Sequence, residues 1–420
     1  MINNISKEWN ERTLSSLGST FNGLTNKTSK DFGIGDSFIT YLQVFNNNCS
    51  DLNFCAYVKI SENDKQNKVR FGDILFTTSS ETPEEVGTAS VFFEKKIEPY
   101  LNSFCFGFRL NNFDVIDPRF AGYYFLGNNF RQSILPLAQG STRFNLSKNS
   151  FLKLKIIIPP LKEQKKIASI LTSVDEVIEK TQSQINKLQD LKKGTMNELL
   201  TRGIGHAEFK NSLLGRIPKN WDVFYINDIA FVTKLAGFEY SEYFDYSIGG
   251  DIIAIRALNL KNAKLDLKEV QTIPKSVSDK LPRSKLQKGD LVISYVGTVG
   301  EVALIEKSEK FHLAPNVAKI TPNQEKILPE FLLHNLMSNK TKKLIMLLGT
   351  ITSQPSLNMG NIRKILISLP SVKEQRKICN IFSSIDNFIE IKIKKLKKYK
   401  SLKKSLMQDL LTGKVRVSVN

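Results

Sequence analysis

The sequence predicts an α/β fold of the α+β kind: two mixed α/β domains joined by two long helices that pack as an antiparallel coiled coil with pseudo-two-fold symmetry. Three observations carry this. A 43-residue segment occurs twice, an apolar seam runs down both copies, and the stretches between them are rich in short strand-like runs.

Residues 159–201 align without a gap on residues 370–412 at an offset of 211, with 19 identities in 43 positions. The register extends faintly upstream, where "DPRF" from Asp117 meets "LPEF" from Leu328 and Leu146 meets Leu357. Further back it needs gaps: "FGDILF" from Phe71 pairs with "KGDLVI" from Lys288, and Trp9 with Trp221. Each half therefore reads as one variable domain followed by one shared helix. The expected partition is residues 1–155, a central repeat helix in 156–205, a second domain over 206–365, and a distal repeat helix in 366–420.

The repeat is helical because its apolar residues recur four and three apart. In the first copy they are Ile167, Leu171, Val174, Ile178, Ile185 and Leu188, with Thr181 completing the spacing. The second copy offers Ile378, Phe382, Ile385, Ile389, Leu396 and Tyr399, with Lys392 in the layer of Thr181. That polar layer is either a register-fixing device or a tolerated edge position. Pro159, Pro160 and Pro370 set the helix starts, and Gly203 and Gly413 stand where the chain leaves each helix. About 40 residues make a helix of roughly 60 Å. A seam that long needs a partner, and its own duplicate presents the same surface, related by a local two-fold axis.

Between the helices lie strand-like runs such as "GDILFTTSS", "LNSFCFGFRL", "DIIAIRALNL" and "GDLVISYVGTVGEVALIE", with helical patches such as "PEFLLHNLMSNKTKKLIMLL". Hydrophobic residues at 41% and charged residues at 24% belong to a globular protein. No apolar run reaches membrane-spanning length and the N-terminus lacks a secretory apolar core, so a cytoplasmic protein with no membrane partner is expected. The charge of +19 suits a polyanion such as nucleic acid, or else a solvated lysine-rich surface. Cys49, Cys55, Cys105 and Cys379 show no paired spacing and read as free buried thiols.

No catalytic or metal-binding set emerges. There is no G-K-[ST] phosphate loop, no H-E-x-x-H and no cysteine cluster, and His206, His312 and His334 read as structural or surface residues. "GTVG" at residues 297–300 fits a tight hairpin turn or a backbone approach to phosphate. Two polar stretches carry the chemistry of base readout. Residues 138–147 supply Gln139, Ser141, Thr142, Arg143 and Asn145, and their counterpart supplies Thr352, Ser353, Gln354 and Asn358. Arginine takes two acceptors of guanine and Gln or Asn pairs twice with adenine, although a polar turn before a strand has the same composition. Arg109 and Arg256 head a scattered set, with Arg119, Arg131 and Arg283, that suits phosphate contacts. The lysines of residues 391–404 read as the solvated faces of the distal helix, whose seam is expected to continue through Ile393, Leu396, Tyr399 and Leu402.

The duplicated "PPLKEQKKI" and "LPSVKEQRKI" starts, the "PKNW" at residues 218–221 and the closing "LLTGKVRV" resemble the specificity subunit of type I restriction-modification systems. The resemblance covers essentially the whole chain; the N-terminal stretch around Trp9 lacks the proline of its second copy. It implies two target recognition domains, each reading one half of a split sequence in double-stranded DNA, spaced by the repeat helices. It implies two methyltransferase subunits docked on the scaffold that bind S-adenosylmethionine and methylate adenine, motor-nuclease subunits for cleavage, and no cofactor or active site in this chain. The unlike loops "STRFNLS" and "SQPSLNM" imply an asymmetric target. Two competitors are a fused restriction or methylation enzyme, disfavoured by the lack of an N-P-P-[YF] motif, and a coiled-coil assembly protein, disfavoured by two unlike basic domains.

Overall fold

The computed structural model describes residues 8–308, 310–349 and 356–419. They form two compact units. The first takes the described residues up to Ser183 and those from Lys394 on, and the second takes Gln184–Ile393. The repeat helices are Leu161–Arg202 and Val372–Leu410, about 63 and 58 Å long at 1.5 Å per residue. The unit boundaries cut both of them. Each unit is thus one variable domain, the N-terminal half of the helix that follows it, and the C-terminal half of the other helix.

In the first unit Asn10–Thr13 pairs antiparallel with Lys155–Ile158, bringing the ends of the domain together just before the helix. A five-stranded sheet runs Gly18–Asn22, Cys105–Leu110, Ile74–Thr77, Ala89–Phe92 and Cys49–Ser50. Its core is a phenylalanine cluster in which Phe76, Phe106, Phe108 and Phe130 pack around Phe151 and Phe125 packs on Phe76, Phe108 and Phe130, mostly edge to face. Ile167, Leu171 and Leu410 of the repeat helices, with Leu411 just after the second, close the same core.

In the second unit Asp222–Tyr225 pairs with Leu366–Leu369. A four-stranded sheet runs Ala230–Lys234, Val317–Pro322, Leu291–Ser294 and Val302–Leu304, and a second sheet sets Ile252–Ile255 parallel to Phe311–Leu313. Trp221, Phe331, Leu332, Ile378 and Phe382 are buried together with Leu200. All four cysteines are free, but only Cys105 and Cys379 are buried; Cys49 is exposed because it opens a two-residue edge strand. Residues 297–300 close the hairpin between Leu291–Ser294 and Val302–Leu304. No helix among the described residues is long and apolar enough to cross a membrane.

The duplicated Lys-Glu-Gln has a structural cause in each unit. The Gln164 amide donates to Val115 O at 2.9 Å and Pro159 O at 2.8 Å, and its Oε1 accepts the Asp117 N–H at 2.8 Å. At the offset of 211, Gln375 donates to Lys326 O at 2.8 Å and Pro370 O at 3.0 Å and accepts the Leu328 N–H at 2.9 Å. Both glutamines are wholly buried. The preceding carboxylates bind the chain leaving the partner helix. Glu163 accepts from Trp9 Nε1 at 3.3 Å and twice from the Arg416 guanidinium at 2.7 and 2.8 Å. Glu374 accepts from Trp221 Nε1 at 3.3 Å and Ile204 N at 3.0 Å, with His206 Nε2 at 2.8 Å. The glycine that ends each helix is left-handed, φ +65° at Gly203 and +72° at Gly413, as helix C-terminal glycines are. A Cβ on Gly203 would also stand 2.7 Å from the Trp221 ring.

Within each unit the two half-helices run antiparallel. In the first, Glu163 meets Arg416 and Asp175 meets Lys403 at 2.6 Å; in the second, Glu374 meets His206 and Asp386 meets Lys192 at 2.6 Å. The two Asp–Lys pairs are one interaction made twice, since both residues repeat at 211. Ile167, Leu171, Ile185, Ile378, Phe382, Ile389 and Leu396 are buried, and Val174, Ile178, Leu188, Ile385 and Tyr399 are half-buried. At the polar layer, Thr181 is buried and donates back to Val177 O, while Lys392 reaches Gln184 Oε1 at 2.7 Å. The continuation expected through Ile393 and Leu402 is corrected: they are 36% and 49% exposed. The four-three spacing passes from Tyr399 to Lys403 and Leu406 instead, and the largely buried Lys403 sets its ammonium over the Tyr123 ring at 5.5 Å while pairing with Asp175.

The second ion pair lies beside His334, where the first has Tyr123. Tyr123 donates its hydroxyl to Asp175 at 2.8 Å, whereas His334 packs edge-on to Phe382 and its buried Nδ1 has no partner among the described residues. Burial, and secondarily the Lys192 charge, push the His334 pKa down to about 4, with Asp386 opposing.

Two outcomes follow from these contacts. Gln375→Leu leaves Leu328 N–H and two carbonyls unpaired, and should cost about 3 kcal/mol of unfolding free energy in urea titration. A loss below about 0.5 kcal/mol would contradict the anchoring role. A histidine depressed in the folded state is neutral there and protonated in the unfolded chain at lower pH, so its stabilisation is complete above pH 6.5 and is lost as pH falls towards about 4. Up to about 3 kcal/mol should disappear over that window. Comparing the pH dependence of urea midpoints for the native protein and His334→Tyr checks it: the variant should lose this part of the slope.

Candidate nucleic-acid interface

In both units the chain that leaves a central strand turns back on a second, polar loop. After Ile74–Thr77, Thr78 O accepts the Leu146 N–H at 2.9 Å; after Leu291–Ser294, Tyr295 O accepts the Leu357 N–H at 2.8 Å. Leu146 and Leu357 are the residues that the repeat offset relates. In the first unit Ala138–Gln139, Phe144–Leu146 and Ser79–Ser80 form a small three-stranded sheet, and in the second Val296 bridges Ser356. Backbone hydrogen bonds therefore fix the platform at Leu146 and at Leu357.

Gly140 makes the hairpin possible. Its φ is +142°, and a Cβ there would lie 2.1 Å from Arg143 O. Gln139, Ser141, Thr142, Arg143 and Asn145 are all exposed on this one hairpin. Arg143 stacks its guanidinium over the Phe104 ring at 5.6 Å. Thr352, Ser353 and Gln354 lie outside the described residues. Asn358 is exposed but caps the short helix Met359–Arg363, accepting Asn361 N–H at 2.8 Å as Ser147 accepts Ser150 N–H in the first unit. The cap uses its Oδ1.

The scattered arginines divide the same way. Arg109 is held bidentately by Asp73 at 2.9 and 2.6 Å, donates to Lys68 O and lies over Phe21, so it braces the sheet and is not presented to a phosphate. Arg131 donates to Val86 O and Glu84 O, and Arg283 pairs with Glu239 at 3.2 Å. Arg256 is half-buried, with its Nε unpartnered among the described residues. Sequence reasoning missed Tyr41, Glu81 and Phe104, which border the hairpin; nothing in their local sequence marks them, because the sheet brings them there. Among the described residues no group of three or more His, Cys, Asp or Glu is arranged to hold a metal.

Two mixed domains, each built on antiparallel halves of the duplicated helices and each with the same main-chain bond at Leu146 or Leu357, define the class of protein. The family model "Type I restriction modification DNA specificity domain" matches residues 6–190 and 218–403, and the chain belongs to that family. Over 423 residues it is 30% identical to the putative type I restriction enzyme MjaX specificity subunit of Methanocaldococcus jannaschii, covering 99% of this chain and 96% of that one. It is 32% identical over 302 residues to the MjaVIII specificity subunit of the same organism, 70% of each chain. In fold it is similar to the S subunit of a type I restriction-modification system from M. genitalium, with a TM-score of 0.55 at 17% identity over 97% of this chain and 96% of that one. A chain from a structure on complex assembly and conformational transition of the type I system matches with a TM-score of 0.63 at 13% identity, over 98% and 100%.

Proposed function

We propose that this chain is the non-catalytic, sequence-reading subunit of a type I restriction-modification complex. Each unit reads one half of a split, asymmetric target in double-stranded DNA through its stitched loop pair. The repeat helices set the unread spacer and dock two methyltransferase subunits, which bind S-adenosylmethionine and methylate adenine; motor-nuclease subunits add cleavage. The observation that carries this reading is the loop platform made by the same backbone bonds in each unit, from Leu146 and from Leu357, under loops of unlike sequence. A shared frame with divergent side chains is what two different half-sites require. The excess of 19 positive charges supplies the sequence-independent attraction to phosphates.

Exchanging residues 1–155 for the corresponding domain of a relative should change one half of the methylated motif and leave the other half and the spacer intact. Sequencing of methylated adenines in a host that carries the chain with its methyltransferase reads this out. A change in both halves would contradict the division of labour.

A further inference from the structure

Beside the hairpin of the first unit lies a cleft bordered by Tyr41, Ser79, Glu81, Phe104 and Arg143. The charged groups around it differ in how far they are already used. Glu85 accepts from Ser80 Oγ, and Arg131 is bound to backbone carbonyls. By contrast, the exposed Arg143 guanidinium and the exposed Glu81 carboxylate have no hydrogen bond or ion pair among the described residues. Ser79 Oγ, in a residue only 8% exposed, is also unpartnered there. Phe104, 52% exposed, stacks against the guanidinium and holds its plane.

An unpaired arginine fork and an unpaired carboxylate bordering one cleft carry the donor and acceptor chemistry that the two bases of one pair call for. Guanine offers O6 and N7 to an arginine in the major groove, and its cytosine offers the N4 amino group to a carboxylate. The geometry points to a G·C pair in the half-site of the first unit, read by Arg143 on guanine and Glu81 on cytosine, with Phe104 as the positioning residue for Arg143. This rests on the DNA-reading role proposed above, and it adds two specificity-determining residues and the identity of one base pair.

The test uses the complex of this chain with its methyltransferase, selecting from a random duplex library followed by sequencing. The native complex should enrich a split motif. Arg143→Ala and Glu81→Ala should each lose discrimination at the same G·C pair, by about tenfold to a hundredfold, with the other half-site unchanged. Arg143→Lys keeps the charge but not the fork, and should lose most of that discrimination. Both positions are exposed, so gel filtration should show the assembled complex in every variant. Uniform weakening across all sequences in Arg143→Ala would make Arg143 a phosphate contact and overturn the inference, leaving the DNA-reading role intact. Loosening at two different pairs, at an A·T pair, or at none would overturn it as well. Absence of any split motif with the native complex would remove the reading itself and the inference with it.

Discussion

Everything in each unit is referred to one buried carboxamide. A long helix that starts straight after a strand has free N–H groups in its first turn and no intrinsic direction relative to the domain it leaves. Gln164 and Gln375 supply that direction. Each ties two carbonyls and one N–H, two of these three groups coming from the segment that leads into Pro118–Leu126 or Pro329–Met337, so helix, strand and domain share one rigid junction. The neighbouring glutamate depends on the junction too. A carboxylate as buried as Glu163, 1% exposed, is tolerable only when charged or polar donors meet it, and Trp9 and Arg416 do so; Trp221 and His206 do the same for Glu374.

Along the helices the requirement changes from direction to coverage. The seam is apolar where it faces the domains, at Ile167, Leu171, Ile378 and Phe382, and continues through Ile185, Ile389 and Leu396, with polar positions set among them. There Lys192 and Lys403 lay their stems on the seam and pass their ammonium groups to Asp386 and Asp175. Partly exposed pairs of this kind contribute little to stability, about 0.5–1 kcal/mol each. Their effect lies in selection, because a slip of the helices would set a lysine against a leucine and leave an aspartate unmatched.

The duplication, the helices with their prolines and glycines, and the two mixed domains were legible because identity and four-three spacing are local properties of the chain. The contacts of Glu163 were not, since Trp9 and Arg416 lie 154 and 253 residues away. The seam beyond Tyr399 was misread because Ile393 and Leu402 are the apolar choices nearby, whereas the helical spacing selects Lys403, whose side chain is largely buried on the way to Asp175. The arginines show the same limit from the other side. Nothing near Arg109 reveals that Asp73, 36 residues back, holds two of its guanidinium nitrogens, and nothing near Arg143 reveals that its fork is left open.

That difference explains how one scaffold can carry unlike loops. The platform is held by main-chain bonds at Leu146 and Leu357, which any residue in the loop leaves intact, and its one strict demand in the first unit is the glycine at 140. Substitutions at exposed loop positions change stability by about 0.5 kcal/mol or less, while the glutamine anchors cost several times that. Selection on what the loops contact is therefore separated from selection on folding. A residue such as Arg109, held by internal hydrogen bonds, belongs to the frame, whereas Arg143 and Glu81 are exposed and make no internal hydrogen bond among the described residues, so they can change at little cost to the fold.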